Sequence, residues 1–86
     1  MNYEILFKPA AQRQLKKLMP KVQQDLLAII EGLSAEPRPS GCKKLKGRPN
    51  QYRIRLGNYR VIYSIEDEIL IVRVIKIGHR RDIYEE

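Results

Sequence analysis

The 86-residue sequence predicts an α+β fold: a helical hairpin packed on a small antiparallel sheet, in the order β-α-α-β-β-β. Three observations carry that prediction. Apolar residues recur at helical spacing between Pro9 and Leu33, and alternate with polar ones from Tyr52 onward. Gly57-Asn58 interrupts the alternation as a two-residue turn. A chain of this length has room for a single domain, taken as residues 1–86, and for a modest core. Its apolar content of 43% and mean hydropathy of −0.47 suit a globular protein with a polar surface.

Tyr3, Ile5 and Phe7 alternate with Glu4 and Leu6 as an opening strand. Pro9 fits the first turn of a helix, where its missing N–H costs nothing. Ala11, Leu15 and Leu18 follow at i, i+4, i+7, with Arg13, Lys16 and Lys17 facing away. Pro20 breaks this helix and starts the next, whose stripe is Val22, Leu26, Ile29, Ile30 and Leu33. The short link at Met19-Pro20 makes the pair a helical hairpin. Ser34 to Gln51 reads as a loop, with Pro37, Pro39, Gly41, Gly47 and Pro49 among five basic residues. Tyr52, Ile54 and Leu56 then alternate with Arg53 and Arg55. Past the turn, Tyr59, Val61, Tyr63 and Ile65 alternate with Arg60, Ile62 and Ser64. Glu66-Asp67-Glu68 marks a second turn. Ile69 to Ile77 is a third strand, apolar enough for a central strand covered on both faces.

The turn fixes more than topology. A two-residue loop at Gly57-Asn58 pairs Leu56 with Tyr59, Arg55 with Arg60, Ile54 with Val61 and Arg53 with Ile62. Paired residues share a face. Tyr52, Ile54, Leu56, Tyr59, Val61 and Tyr63 therefore form the core face, and Arg53, Arg55 and Arg60 the opposite one. Two arginines directly across a ladder repel by a few tenths of a kcal/mol or more. A polyanion would compensate that cost, because phosphate oxygens accept forked guanidinium donors. The competing reading is that arginine stems simply cover the sheet while their heads reach water.

Charge points the same way. Seventeen Lys and Arg against ten Asp and Glu leave a net charge of +7 and a pI near 9.8, which implies an acidic partner. Between Glu36 and Glu66 no acid occurs. That interval holds Arg38, Lys43, Lys44, Lys46, Arg48, Arg53, Arg55 and Arg60. Cys42 is the sole cysteine and His79 the sole histidine, which leaves no intramolecular disulfide and no zinc, iron or copper ligand set. The opening MNYEILF reads as a strand and not a signal peptide, and no apolar run, Ile69 to Val72 included, is long enough to cross a bilayer. A cytoplasmic protein with no membrane partner is the expectation.

Gly78-His79-Arg80-Arg81-Asp82-Ile83-Tyr84 adds basic groups and a tyrosine after the last strand. Among arginines the Tyr84 phenol is expected to titrate below its ordinary ~10, as a general base requires; alternatively its ring caps the sheet edge. His79 is a candidate acid or base because histidine titrates near neutrality, and equally a structural residue at a strand end. Such a surface suits RNA cleavage by the substrate's own 2′-OH. That reaction asks the protein to align atoms, stabilise negative charge and move two protons.

The string Tyr52-Arg-Ile-Arg-Leu-Gly-Asn-Tyr-Arg-Val-Ile-Tyr63, with Lys44-Leu-Lys-Gly47 before it and Gly78-His-Arg-Arg-Asp-Ile-Tyr84 after it, resembles the RelE/ParE toxin superfamily, and its RelE-like branch in particular. The resemblance spans essentially the whole chain. It implies a toxin of a type II toxin–antitoxin pair, a metal-independent mRNA endoribonuclease that needs no cofactor and cuts mRNA in the ribosomal A site. It also implies a cognate antitoxin, the ribosome and mRNA as partners, with operator DNA reached only through the antitoxin. By position, Arg53 and Arg55 match the paired basic residues of the first hairpin strand, and Arg60 the phosphate-stabilising arginine. Arg80 matches the proposed general acid and Tyr84 the proposed general base. Lys43, Lys44, Lys46, Arg48 and Arg81 are expected to contact RNA or ribosome.

Three departures stand out. Lysines are typical of RelE where this chain has Arg53 and Arg55, the gap from Arg80 to Tyr84 is shorter, and the extra C-terminal helix of some relatives has no counterpart before Glu86. ParE-like members share the fold and an ending like Arg73 to Asp82, and inhibit DNA gyrase without nuclease activity. An RNA-binding module without catalysis is a third reading.

Overall fold

A computed structural model of the chain describes residues 2–79, so Arg80, Arg81 and Tyr84 lie outside the described residues. Strand β1 (Glu4–Phe7) leads into helices α1 (Pro9–Lys16) and α2 (Pro20–Gly32). Strands β2 (Lys43–Lys44), β3 (Gln51–Leu56), β4 (Tyr59–Glu66) and β5 (Ile71–His79) follow. All five strands join one sheet in the order β1-β5-β4-β3-β2, and the two helices cover one of its faces.

Both helices open on proline, Pro9 and Pro20, at positions whose N–H has no intrahelical acceptor. The link between them is closed by a side chain. Gln23 Nε2 donates to the Leu18 carbonyl at 2.7 Å, satisfying a group that the end of α1 leaves unpaired. The expected stripes are buried: Ala11 and Leu15 from α1, with Leu26, Ile30 and Leu33 from α2, pack into one core with Val61, Tyr63, Ile65, Val72 and Val74. Each fully buried Leu or Ile contributes about 1.5–3 kcal/mol relative to exposure.

The β3–β4 hairpin has the predicted register, from Leu56↔Tyr59 through Arg55↔Arg60 and Ile54↔Val61 to Arg53↔Ile62. Gly57 takes φ +58° while Asn58 stays negative, as a type II′ turn requires. Every residue assigned to the core face belongs to the core or packs against it.

The structure refines the expected sheet in three ways. It is mixed, because β1 runs parallel to β5 from Glu4↔Ile71 to Phe7↔Val74; side-chain alternation is the same for either direction of neighbour. The stretch read as loop contains β2, which pairs Lys43 with Arg53 and Lys44 with Tyr52. Two lysines show no alternation to detect. The third strand begins at Ile71 and not Ile69, since Asp67 to Leu70 form the turn, with Leu70 at φ +56° and Ile69 59% exposed.

β5 is central, between β1 and β4, and carries a bulge: Ile62 pairs with Lys76 but Tyr63 pairs with Val74, leaving Ile75 as the extra residue. Val72, Val74 and Ile77 thus enter the main core. Ile75 turns to the other face and packs on buried Leu45 and Ile62 in a second, small apolar cluster.

Candidate functional site

The face opposite α1 and α2 carries cations on two neighbouring rungs. One rung runs Lys43↔Arg53↔Ile62↔Lys76 across four strands, and the next runs Arg55↔Arg60↔Gly78 across three. With strands ~4.8 Å apart, the longer rung spans about 14 Å. Arg55 and Arg60 are direct partners, their Cβ atoms within about 4.5–5.5 Å. Gly78, the β5 partner of Arg60, contributes no side chain to that rung.

The arginines differ in access. Arg53 is 5% exposed, Arg60 is half-buried and Arg55 is exposed. Leu45 and Ile62, each buried to 3%, lie on the same face as Arg53. Arg53 accordingly forms part of the floor, Arg60 has its Nε buried, and Arg55 is the exposed arginine of the three. Lys43, Lys44, Lys46 and Arg48 are all exposed. Lys43 shares the Arg53 rung, whereas Lys44 is in register with Tyr52, whose ring packs against the core. His79 is not brought to the arginines. It pairs with Tyr59 and meets that ring edge-on, centroids 5.6 Å apart, on the helix side of the sheet.

Two arginines outside the two rungs are paired with carboxylates. Arg38 Nη2 lies 2.8 Å from Asp67 Oδ2, and Arg73 Nη2 3.1 Å from Glu66 Oε2. The two Arg38 hydrogen bonds, with a third from the Tyr3 hydroxyl at 2.6 Å, hold the Asp67 carboxyl below its ordinary range. The same carboxylate raises the Tyr3 phenol. Arg38 therefore leaves the basic field to which its position in the acid-free interval assigned it. It also donates to Tyr52 Oη at 3.1 Å and sits 5.2 Å from that ring's centroid.

Tyr52 stacks on Tyr63, and the Tyr63 hydroxyl donates to the Pro37 carbonyl at 2.8 Å. Burial pushes the Tyr63 phenol well above its ordinary value. None of these tyrosines faces the arginines. The described part of the face thus offers charge stabilisation, since guanidinium groups do not give up protons in proteins. The proton-transfer roles expected of Arg80 and Tyr84 lie outside the described residues. β5 ends at His79, one residue beyond the Arg60–Gly78 rung. Among the described residues no three His, Cys, Asp or Glu side chains form a group that could hold a metal, and no helix is long and apolar enough to cross a membrane.

Sequence reasoning missed Lys76. It sits in a run that reads as continuously apolar, and its face depends on the bulge at Ile75. The signal that could have found it is the parity change: Val72, Val74 and Ile77 cannot all face one side of an unbroken strand.

A family model described as the ParE toxin of type II toxin–antitoxin systems matches residues 5–84. The chain belongs to this RelE/ParE superfamily of type II toxins. Within it the similarity is to RelE toxins. Toxin RelG of Mycobacterium tuberculosis is 35% identical over 88 residues, covering 98% of each chain. The mRNA interferase toxin RelE of Escherichia coli is 32% identical over 90 residues, covering 100% of this chain and 94% of the relative. Among solved structures, the toxin–antitoxin complex RelBE2 of Mycobacterium tuberculosis superposes with a TM-score of 0.81 at 32% identity, covering 93% of each chain. The archaeal RelE–RelB complex of Pyrococcus horikoshii gives 0.82 at 29% identity, covering 93% of this chain and 97% of that one.

Proposed function

We propose that the protein is a ribosome-dependent endoribonuclease that cuts mRNA in the A site, stops translation, and is restrained by a cognate antitoxin. The observation that carries this reading is the Arg55–Arg60 rung. Two arginines are direct cross-strand partners on the face opposite the two described helices, among further cations. In the proposed reaction the 2′-oxygen attacks the adjacent phosphorus and the P–O5′ bond breaks, leaving a 2′,3′-cyclic phosphate and a 5′-hydroxyl. Arg55 and Arg60 donate to the non-bridging oxygens as negative charge builds on them, and Arg53 fixes the floor beneath. A preorganised donor of this kind is commonly worth about 10²–10³ in rate. The 2′-OH proton passes to the Tyr84 phenolate, and Arg80, which the family resemblance places at the leaving group, donates a hydrogen bond to the departing 5′-oxygen while solvent supplies its proton. The substrate supplies its own nucleophile, so the protein supplies none and no metal is invoked.

Lys43, Lys46 and Arg48 extend the cationic surface toward the RNA and the ribosome. The relatives solved as RelB complexes support an antitoxin partner here as well. Its acidic or amphipathic segment would order on this toxin and cover the cations.

A translation reaction programmed with one defined mRNA, mapped for new ends with and without ribosomes, tests the reading. Cleavage is expected with ribosomes only. The family model's ParE description motivates a parallel supercoiling assay. Intact mRNA in both reactions together with inhibited DNA gyrase would assign the protein to the gyrase inhibitors.

A further inference from the structure

Resting on the proposed reading of the chain as an mRNA nuclease, we infer that the cleft between α2 and the outer edge of β3 is a nucleobase pocket. It takes the base adjoining the phosphate held at Arg55. The cleft measures about 530 Å³, within the range of small-ligand sites. Ile29 and Leu33 of α2 and Ile54 of β3 give it apolar walls, and the turn residues Pro39, Ser40 and Gly41 supply the rest together with Gly32. Arg55 lines it as well. That residue is the exposed arginine of the cationic face, so cleft and face meet there.

Two further observations point to a ligand. The first is space held open by a glycine. Gly32 ends α2 without a positive φ, so its backbone does not call for glycine. A Cβ there would meet nothing within 4 Å. Glycine costs a helix about 1 kcal/mol relative to alanine, and what it gains at this position is room in the cleft. The second is a pair of unused hydrogen-bonding groups. The Gln51 N–H donates to the Arg48 carbonyl, and the Gln51 carbonyl accepts from the Leu45 N–H. Odd-numbered β3 residues therefore aim their backbone groups away from β4. β2 reaches only as far as Arg53. The N–H and C=O of Arg55, next along that edge, meet no backbone partner among the described residues. Apolar walls with a few polar groups at the mouth are what an unstacked RNA base requires, since its ring is buried and its edge hydrogen-bonded.

Charge decides between a nucleotide and other occupants. Arg55 is the one charged residue of the lining, and no carboxylate lines the cleft among the described residues. The combination fits an anion joined to a flat ring with polar edges, which describes a nucleotide. With the scissile phosphate on Arg55, the neighbouring base passes round the edge of β3 into the cleft. Gly32 and Ile29 are then specificity-determining positions that set which base is preferred beside the cut.

The test is cleavage on programmed ribosomes of an mRNA in which the nucleotide on either side of the cut is made abasic in turn. For the parent, one of the two abasic positions should lower kcat/KM by about tenfold, the order of one buried base. Gly32→Leu, which fills the cleft, should be slower on intact mRNA by a similar factor and indifferent to that abasic position. Its unfolding midpoint should stay near the parent's, because the added side chain enters open space. Gly32→Ala fills less and should fall between the two in base sensitivity. A parent indifferent to both abasic positions, or a Gly32→Leu variant as sensitive as the parent, overturns the pocket while leaving the nuclease reading intact. A Gly32→Leu variant that cuts like the parent but escapes its antitoxin overturns the pocket in favour of a polypeptide strand on this edge. A parent that cuts no mRNA overturns both readings.

Discussion

At the residue scale, the surface cations divide by whether a carboxylate reaches them. Arg38 and Arg73 sit at the β4–β5 turn, against Asp67 and Glu66; Arg55 and Lys76 meet no such partner among the described residues. Charge counting along the chain cannot draw this line, because Arg38 and Asp67 are brought together across 29 positions by the fold. The burial of Arg53 was equally out of view, since alternation assigns a residue to a face and not to a depth. The shared face of Arg53, Arg55 and Arg60 was legible, because a two-residue turn leaves one register. The Asp67 contacts carry a pH signature. Its folded carboxyl titrates below the ordinary ~3.9, so the stabilisation is fully present above that value and is lost as pH falls through the lowered one. Asp67→Asn should therefore show a lower urea midpoint than the parent at pH 7. The gap should close as pH falls below the Asp67 range. Midpoints that differ by the same amount at both ends of the titration would contradict this account.

At the scale of elements, the β3–β4 hairpin sets the site and the helices support it from behind. Helix stripes and hairpin strands were legible because their periods run over many residues. β2 was not, being two lysines long, and the bulge was not, because an apolar run masks a change of face. Gly57 is the residue on which the hairpin depends. At φ +58° an L side chain is strained, and Gly57→Ala should cost about 1–2 kcal/mol of stability. Thermal or urea unfolding checks it, and an unchanged midpoint would mean that the turn relaxes to another type.

At the scale of the whole molecule, the net +7 is arranged and not merely carried. The acids Glu66, Asp67 and Glu68 gather at the β4–β5 turn, and the Arg55–Arg60 rung lies at the far end of β4. A molecule so arranged approaches a polyanion with its cationic end first. If four cations each release a counterion from single-stranded RNA, affinity should fall on the order of 50-fold between 50 and 200 mM salt. A response near zero over that range would remove electrostatics from the recognition. The bulk charge, read from composition, indicated an acidic partner; the strand register is what turns it into a place where one phosphate can be gripped from two sides.

The central claim is that this grip stabilises the phosphate as it is cut. Single-turnover cleavage of A-site mRNA by the parent and by Arg60→Ala, on programmed ribosomes at saturating toxin, tests it most directly. The rate should fall by about 10²–10³, with the unfolding midpoint little changed. A variant that cuts at the parent's rate would contradict the assignment of the face opposite α1 and α2 as the catalytic surface.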